Sequence, residues 1–436
     1  MPSVAIIGGG VAGLAAACSL AERGIQTIVF EAGSQLGGRA RSVGMEFNGQ
    51  ALQIDNGQHI MLGAYKQTLK LLETVGVNET LAFMRLPLSL ALFDSSGKCA
   101  FKLTSPRFLP YPLNQLVGFL SCKGLTFDER LAVLKLMLAL KKSVYRLNFD
   151  QPLSQFLAQK NQSQNVIKLL WEPLCLSALN TPIQLASSQV FLNVLKDTFS
   201  SKSNSDLLLP KLDLSRILAQ PMARYLQARQ GQVRINYRVK AIKEAENGYL
   251  IETKNGKFEA NHVIIATSPV RFRNFVAELP KLKAVVEATE AYQYQPIYTI
   301  YLQYDSDITL GKPMLGLTDT TSQWVFDRGI LCGQKGLMAV IISAEGWHQH
   351  LEHDALALKI AEELRDAFPQ LKKPLWHQVI AEKRATFSCN VNLPRPANST
   401  LYPNLYLAGD YTYADYPATI EGAVRSGVSA ANLISN

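Results

Sequence analysis

Gly8, Gly10 and Gly13 stand in the spacing G-x-G-x-x-G within SVAIIGGGVAGLAAACSLAERGIQTIVFEAG, and Glu31 follows 23 residues after the first of them. Glycines so spaced suit a turn whose bare backbone meets a pyrophosphate. The first permits the reversal, the second admits the phosphates, and the third lets a helix pack close to a strand. A carboxylate at Glu31 accepts hydrogen bonds from ribose hydroxyls and repels a 2′-phosphate, which leaves FAD or NAD as the dinucleotide. A second cluster, Asp55, Asn56, Gly57, Gln58 and His59, lies at an abrupt boundary with the apolar run after it. One His and one Asp without a further ligand cluster do not make a metal site. These five residues are therefore either a surface turn or groups facing a bound molecule.

The elements that must position these groups follow from local patterning. Residues 4–7 are a short apolar run, residues 14–22 are rich in helix-forming Ala and Leu, Gly24 ends that helix, and residues 27–30 are β-branched or aromatic. This is strand, turn, helix, strand, with the helix N-terminus offering unpaired N–H groups and a partial positive charge to phosphates. Further on, Asn247-Gly248 and Asn255-Gly256 mark two hairpins before a buried strand at residues 263–266. In PIYTIYLQY, Ile297, Thr299 and Tyr301 alternate with Tyr298, Ile300 and Leu302 on opposite faces. A last helix opens over residues 417–422.

At 436 residues, with 47% hydrophobic and 18% charged side chains, the chain fits an ordered protein of two domains. Its 6 cysteines lack CxxC spacing, which suits free thiols in a reducing, cytoplasmic compartment without structural disulfide or zinc. The uncharged N-terminal stretch has no basic n-region and is broken by glycines, so it does not read as a signal peptide. No window has about 18 continuous apolar residues, which excludes a spanning helix. The net charge of +9 is uneven: Lys98, Lys102, Arg107, Lys123, Arg130, Lys135, Lys141, Lys142 and Arg146 face only Asp128 and Glu129 in the same stretch. Lys135, Lys142 and Arg146 are spaced for one helical stripe. Basic and aliphatic residues so mixed suit a membrane surface, with peripheral attachment to the inner face, or an ordinary helix with a solvated basic side. Nucleic acid is disfavoured because aromatic stacking platforms are missing.

The pattern EAGSQLGGRARS, with Gly37, Gly38, Arg39 and Arg41 directly after Glu31, resembles the second glycine-rich segment of the flavin amine oxidase and phytoene desaturase superfamily. The resemblance implies FAD, with the glycines, Ala12 of the first loop, Arg39 and Arg41 around the pyrophosphate. It implies adenine held at the backbone of Val239, and Gly409 and Asp410 at the ribityl-phosphate region. Ile420 lies in the opening turn, residues 417–422, of the helix whose N-terminus would face the reduced flavin's negative edge. Residues 55–59 would form the turn beside the isoalloxazine, where polar groups give way to a greasy cavity.

DNGQHIMLGAY, WEPLCLSALNTP, SSQVFLNVLKD and DLLLPKLDLS are similar to one branch, the hydroxysqualene dehydroxylases of bacterial squalene and hopanoid synthesis. That likeness implies loss of an allylic hydroxyl from hydroxysqualene and hydride delivery from flavin N5, giving squalene. Such chemistry needs an apolar site, an acid for the leaving oxygen and exclusion of water. The acid, or in the case of Gln58 and His59 a polarising group, is sought among Glu172, His59, Gln58, Asp415 and Tyr416, with a helix-terminal pairing as the structural alternative for Glu172; the ring faces of Tyr298 or Tyr301 either stabilise a cation or pack in the sheet. The expected fold is α/β, a Rossmann-like FAD-binding domain (1–70, 225–270 and 385–436) with an interleaved α+β substrate domain (71–224 and 271–384). An isoprenoid desaturase uses the same parts in the oxidising direction. A flavin-free lipid chaperone would not need the intact glycines, Glu31 and Asp410. YTYADYPATIEG offers neither the aromatic cage nor the flavin-linking cysteine sought in an amine oxidase. The electron donor is not written in the sequence.

Overall fold

The computed structural model describes residues 3–47 and 50–435. Five short strands form a parallel sheet in the order Gln232–Arg234, Gln26–Phe30, Ser3–Ile7, His262–Ile265, Leu405–Leu407. The central runs VAII and VII are buried on both faces, as a parallel sheet covered by helices requires. Helix Val11–Glu22 begins directly after Gly10, three residues earlier than its composition suggests, so its N-terminus belongs to the glycine turn. Small residues let helix Ile420–Asn432 pack tightly on it. At Gly427 a Cβ would stand 2.2 Å from the Ala12 carbonyl oxygen, so a larger residue would force the two helices apart.

Strands Val239–Ala245, Gly248–Thr253 and Gly256–Ala260 form an antiparallel meander, turning at Gly248 and Gly256 with φ of 137° and 140°. Phe258 seals it onto the parallel sheet through Phe30, ring centroids 4.9 Å apart.

The second body is a seven-stranded sheet ordered Trp376–Phe387, Tyr294–Gln303, Leu337–Ser343, Trp324–Asp327, Met314–Leu317, Ser89–Phe93, Cys99–Thr104. All its pairings are antiparallel except Met314–Leu317 with Ser89–Phe93. The alternation in PIYTIYLQY divides two cores: Ile297 and Tyr301 face the helical layer, while Tyr298, Ile300 and Leu302 pack with helix His353–Ala367. The helical layer holds Leu113–Leu120, Phe127–Lys142, Leu153–Gln159, Glu172–Leu179 and Ser188–Thr198. Trp171 locks its centre, buried edge-on against Phe191 and donating from Nε1 to Gln162 Oε1 at 2.9 Å.

One helical stripe does not form. Helix Phe127–Lys142 stops before Arg146, because Val144 and Tyr145 take φ of 52° and 58° and the Tyr145 N–H closes back on the Leu140 carbonyl at 2.8 Å. Burial of the Tyr145 ring in the core turns the chain there, and Arg146 leaves the line of Lys135 and Lys142. No helix among the described residues is long and apolar enough to cross a membrane.

Candidate active site

At the nucleotide end, each glycine meets a different steric demand. Gly8 has φ of 116° and a Cβ there would stand 2.7 Å from the Ala266 carbonyl oxygen; at Gly13 it would stand 2.1 Å from that of Gly8. At Gly10 the nearest atom would be 4.0 Å away, the Cα of Gly38. Gly10 therefore borders free space while the other two are closed by protein, which is the cradle a pyrophosphate needs. The two glycine turns are joined by the Gly37 N–H donating to the Gly9 carbonyl at 2.8 Å.

Glu31 accepts the Gly9 N–H on Oε2 at 2.9 Å and the Gly33 N–H on Oε1 at 2.7 Å. Each oxygen keeps lone-pair capacity for a ribose hydroxyl. Tyr237 and Asn236 donate to the carbonyls of Glu31 and Gly33 at 2.8 and 2.9 Å, which carries Val239 to the same end. Ala12 and Ile420 turn their side chains into the core, leaving only backbone for a cofactor.

Arg39 and Asp410 are expected at different parts of a dinucleotide, yet the structure pairs them: Arg39 Nη2 donates to Asp410 Oδ2 at 2.7 Å, and Nη1 to the Ala385 carbonyl at 2.7 Å. Arg41 instead turns back to the Gly38 carbonyl at 2.7 Å. Gly409 is held through its N–H on Ser426 Oγ at 2.8 Å, and a Cβ there would meet the Tyr411 ring. Sequence reading misses Arg395, whose Nη1 donates to the carbonyls of Asp410, Tyr413 and Tyr416 and so ties down the loop after Asp410.

Helix Ile420–Asn432 is capped by Thr419, which accepts the Gly422 N–H at 3.1 Å. Its Glu421 is fully buried and accepts from the N–H groups of Gln67 and Thr68, from Thr68 Oγ1 and from Arg425 Nε, at 3.1, 2.9, 2.7 and 2.7 Å. One carboxylate thus also satisfies the N-terminus of helix Lys66–Thr74. The (i, i+4) spacing of Glu421 and Arg425 hints at the pair, but nothing local announces the second helix. Arg425 continues to Asp197 at 3.3 Å and lies 4.4 Å from the centroid of Tyr416.

This network decides against Tyr416 as a proton donor. Its hydroxyl is buried and donates to Asp197 Oδ2, and burial followed by the Asp197 carboxylate holds its pKa far above the ordinary phenol range. Asp415 is exposed, and only its carbonyl is used, by Asn193 Nδ2 at 3.0 Å.

The turn at residues 55–59 rests on a buried ionic core. Asp55 Oδ1 accepts the Leu214 N–H at 2.8 Å, and Oδ2 lies 3.7 Å from Arg328 Nη1. Arg328 is 1% exposed and donates to Gln58 Oε1 and Gln334 Oε1, both at 2.6 Å. Burial pushes Asp55 up to about 6, against the opposing pull of Arg328 and the Leu214 N–H. Tyr301 supports the turn from behind, its hydroxyl on the Asp55 carbonyl at 2.8 Å, while Tyr298 packs edge-on to His348 in the other core. Gln58 is therefore fixed through its carbonyl oxygen, and Arg328, which no motif marks, is what fixes it. Nδ1 of His59 donates to the Gly57 carbonyl at 2.6 Å, and burial lowers its pKa, with Arg39 adding to that and the carbonyl opposing. A neutral ring with Nδ1 protonated leaves Nε2 as an acceptor, so His59 has no proton to give there.

Glu172 differs from the other candidates. It stands in the first turn of Glu172–Leu179, half-buried, and burial raises its pKa. The helix-terminal pairing does not occur: among the described residues Glu172 has no hydrogen bond or ion pair. It is a partly desolvated carboxyl group without a partner among the described residues, and no hydrogen bond links it to the turn at residues 55–59.

Residues 11–435 match the family of flavin containing amine oxidoreductases. The chain belongs to that family. Among its relatives are a hydroxysqualene dehydroxylase of Zymomonas mobilis, 28% identical with 98% of each chain covered, and a zeta-carotene desaturase of Synechocystis, 23% identical with 99% of this chain and 96% of the relative covered. The solved cyclohexylamine oxidase of Brevibacterium oxydans superposes with a TM-score of 0.71 at 17% identity, covering 99% of this chain and 98% of the other. As a flavin containing amine oxidoreductase the protein is an FAD-dependent oxidoreductase, with a Rossmann-like FAD-binding domain and a substrate domain. The free space at Gly10, the carboxylate of Glu31 and the capped helix after Asp410 fit that cofactor.

Proposed function

We propose that the protein catalyses the reductive dehydroxylation of hydroxysqualene to squalene. Similarity to a hydroxysqualene dehydroxylase over nearly the whole of both chains carries this reading. Residues 1–70, 225–270 and 385–436 hold FAD, with Gly8, Gly10, Gly13 and Gly38 at the pyrophosphate, Glu31 at the ribose, Val239 at the adenine, and the Arg39–Asp410 pair beside the ribityl chain. Reduced FAD supplies the hydride. The chain's own contribution is to protonate the departing hydroxyl and keep water away from the allylic centre. Glu172 is the acid, because low-polarity surroundings keep its carboxyl neutral at higher pH than usual and no partner holds its proton. Gln58, its carbonyl oxygen fixed by Arg328, presents its amide beside the reacting centre. The protein works in the cytoplasm at the inner face of a membrane, where a thirty-carbon isoprenoid resides.

Anaerobically reduced enzyme mixed with hydroxysqualene in detergent should yield squalene. The full-length match to a zeta-carotene desaturase supports a second reading, oxidation of an isoprenoid. Unchanged hydroxysqualene, together with desaturation of a phytoene-type substrate by oxidised enzyme, would establish that one instead. Glu172→Gln should lower kcat by about 10² to 10⁴ with FAD content unchanged and flatten the alkaline limb of the pH–rate profile.

A further inference from the structure

Helix Leu113–Leu120 anchors itself with one aromatic and turns its remaining apolar residues outward. Its inward residues are Asn114, 2% exposed and donating to Ser105 Oγ at 2.9 Å, Gly118, where a Cβ would stand 3.1 Å from the Thr104 carbonyl oxygen, and Phe119, which packs in the core of the helical layer. Its outward residues are Leu113, Leu116 and Val117, exposed by 48, 40 and 37%. These stand at i, i+3 and i+4, the spacing that a helix on a globular surface normally turns inward. Phe108, in the loop before it, is 85% exposed, and Leu138 on the adjoining helix Phe127–Lys142 is 66% exposed. The two helices are tied at both ends: Arg130 Nη1 donates to the Leu120 carbonyl at 2.9 Å, and Lys141 Nζ lies 5.6 Å from the Tyr111 ring centroid. The outward apolar residues therefore belong to one rigid patch.

The charge around the patch is predominantly basic, the acidic Asp128 and Glu129 being confined to the first turn of helix Phe127–Lys142. Arg107, Lys141, Lys142 and Arg146 are exposed, and none forms a salt bridge among the described residues. We propose that this patch docks on an anionic phospholipid bilayer, with helix Leu113–Leu120 lying in the interface, Phe108 inserted, and the basic groups on the phosphates. The proposal deepens the reading of the protein as an enzyme of a membrane-dwelling isoprenoid by assigning the surface that meets the lipid. A second copy of the chain is a poor occupant, since a two-fold contact would bring unpaired cations together, and interface cores are depleted in lysine. A bilayer with acidic headgroups satisfies both halves of the patch. Its electrostatic part fades within a Debye length of about 10 Å at 0.1 M salt.

The test is co-sedimentation of the full-length holoenzyme with vesicles of phosphatidylcholine, with or without phosphatidylglycerol, in the absence of substrate. Wild type should sediment with the phosphatidylglycerol vesicles, less with phosphatidylcholine alone, and less at high salt. Leu116→Glu with Val117→Glu should weaken binding at least tenfold. Lys142→Glu with Arg146→Glu should remove the preference for anionic lipid. Phe108→Asp, in a loop with no helix to disturb, should weaken binding independently. Each variant should keep the wild-type melting temperature, flavin absorbance and turnover in detergent. Wild type remaining in the supernatant, Phe108→Asp binding as wild type does, or a dimer in light scattering that Phe108→Asp dissociates would overturn the proposal. Loss of detergent turnover in wild type would sink the substrate assignment and leave the vesicle result standing.

Discussion

Burying Arg328 against Asp55 and Gln58 is costly, because a charge withdrawn from water must be compensated in place. Part of that cost appears at Asp55, whose pKa is raised to about 6, above its value in an unfolded chain. An acid raised on folding contributes its full stability below its unfolded pKa and loses that contribution as pH rises through the folded value. Asp55→Asn removes this dependence. Between pH 4 and pH 7 the stability of wild type relative to the variant should therefore fall, by on the order of 2 kcal/mol, in urea titrations at the two pH values. Tyr416 belongs to a different class from Glu172: its hydroxyl bonds Asp197 and touches no reacting group. Tyr416→Phe should cost about 1 to 3 kcal/mol of stability while turnover stays within about threefold of wild type. A loss of turnover as deep as that expected for Glu172→Gln would return Tyr416 to the chemistry.

Two glycines three residues apart, Gly10 and Gly13, can be told apart only through the elements they join. Gly13 lies where helix Val11–Glu22 meets the first strand, and an added methyl would overlap the Gly8 carbonyl at 2.1 Å. Gly13→Ala should destabilise the protein by about 3 kcal/mol or more, seen as an early denaturant midpoint with or without FAD. Gly10 occupies the N-cap, with extended backbone and no protein atom nearer than 4.0 Å to a built Cβ. Gly10→Ala should leave the apoprotein within about 1 kcal/mol of wild type and weaken FAD at least tenfold, measured by fluorescence titration. The reverse pattern in the two variants would mean that Gly10 is structural and that the phosphates bind elsewhere. The helix stripe that ends at Lys142 makes a related point: periodicity runs smoothly through Arg146, and the buried Tyr145 ring breaks it.

At the scale of the molecule, an ionic network centred on the buried Glu421 links the last helix to distant parts of the chain, alongside the apolar packing there. Glu421 joins the last helix to helix Lys66–Thr74, and Arg425 extends the network to Asp197 on Ser188–Thr198. With FAD on the proposed residues, which come from distant parts of the chain, binding requires the assembled fold, so the cofactor should stabilise it by mass action. Free FAD at a hundredfold excess over its Kd should add about 2.7 kcal/mol to unfolding of the stripped protein, and Gly10→Ala should gain far less at the same concentration. An unfolding curve indifferent to FAD would separate the cofactor from the folded core.

The nucleotide half was legible because its determinants are local. Glycine spacing, strand ends and the Asn-Gly hairpins are set by backbone sterics within a few residues, and Gly8, Gly10, Gly13 and Glu31 stand at the turn those sterics require. The pairing of Arg39 with Asp410, the burial of Arg328 and Glu421, the bond of the Tyr416 hydroxyl to Asp197 and the unpartnered, half-buried carboxyl of Glu172 were decided by tertiary structure. Each depends on which distant group arrives at hydrogen-bonding distance and how much water is displaced, and neither quantity has a period or a spacing that a sequence can display.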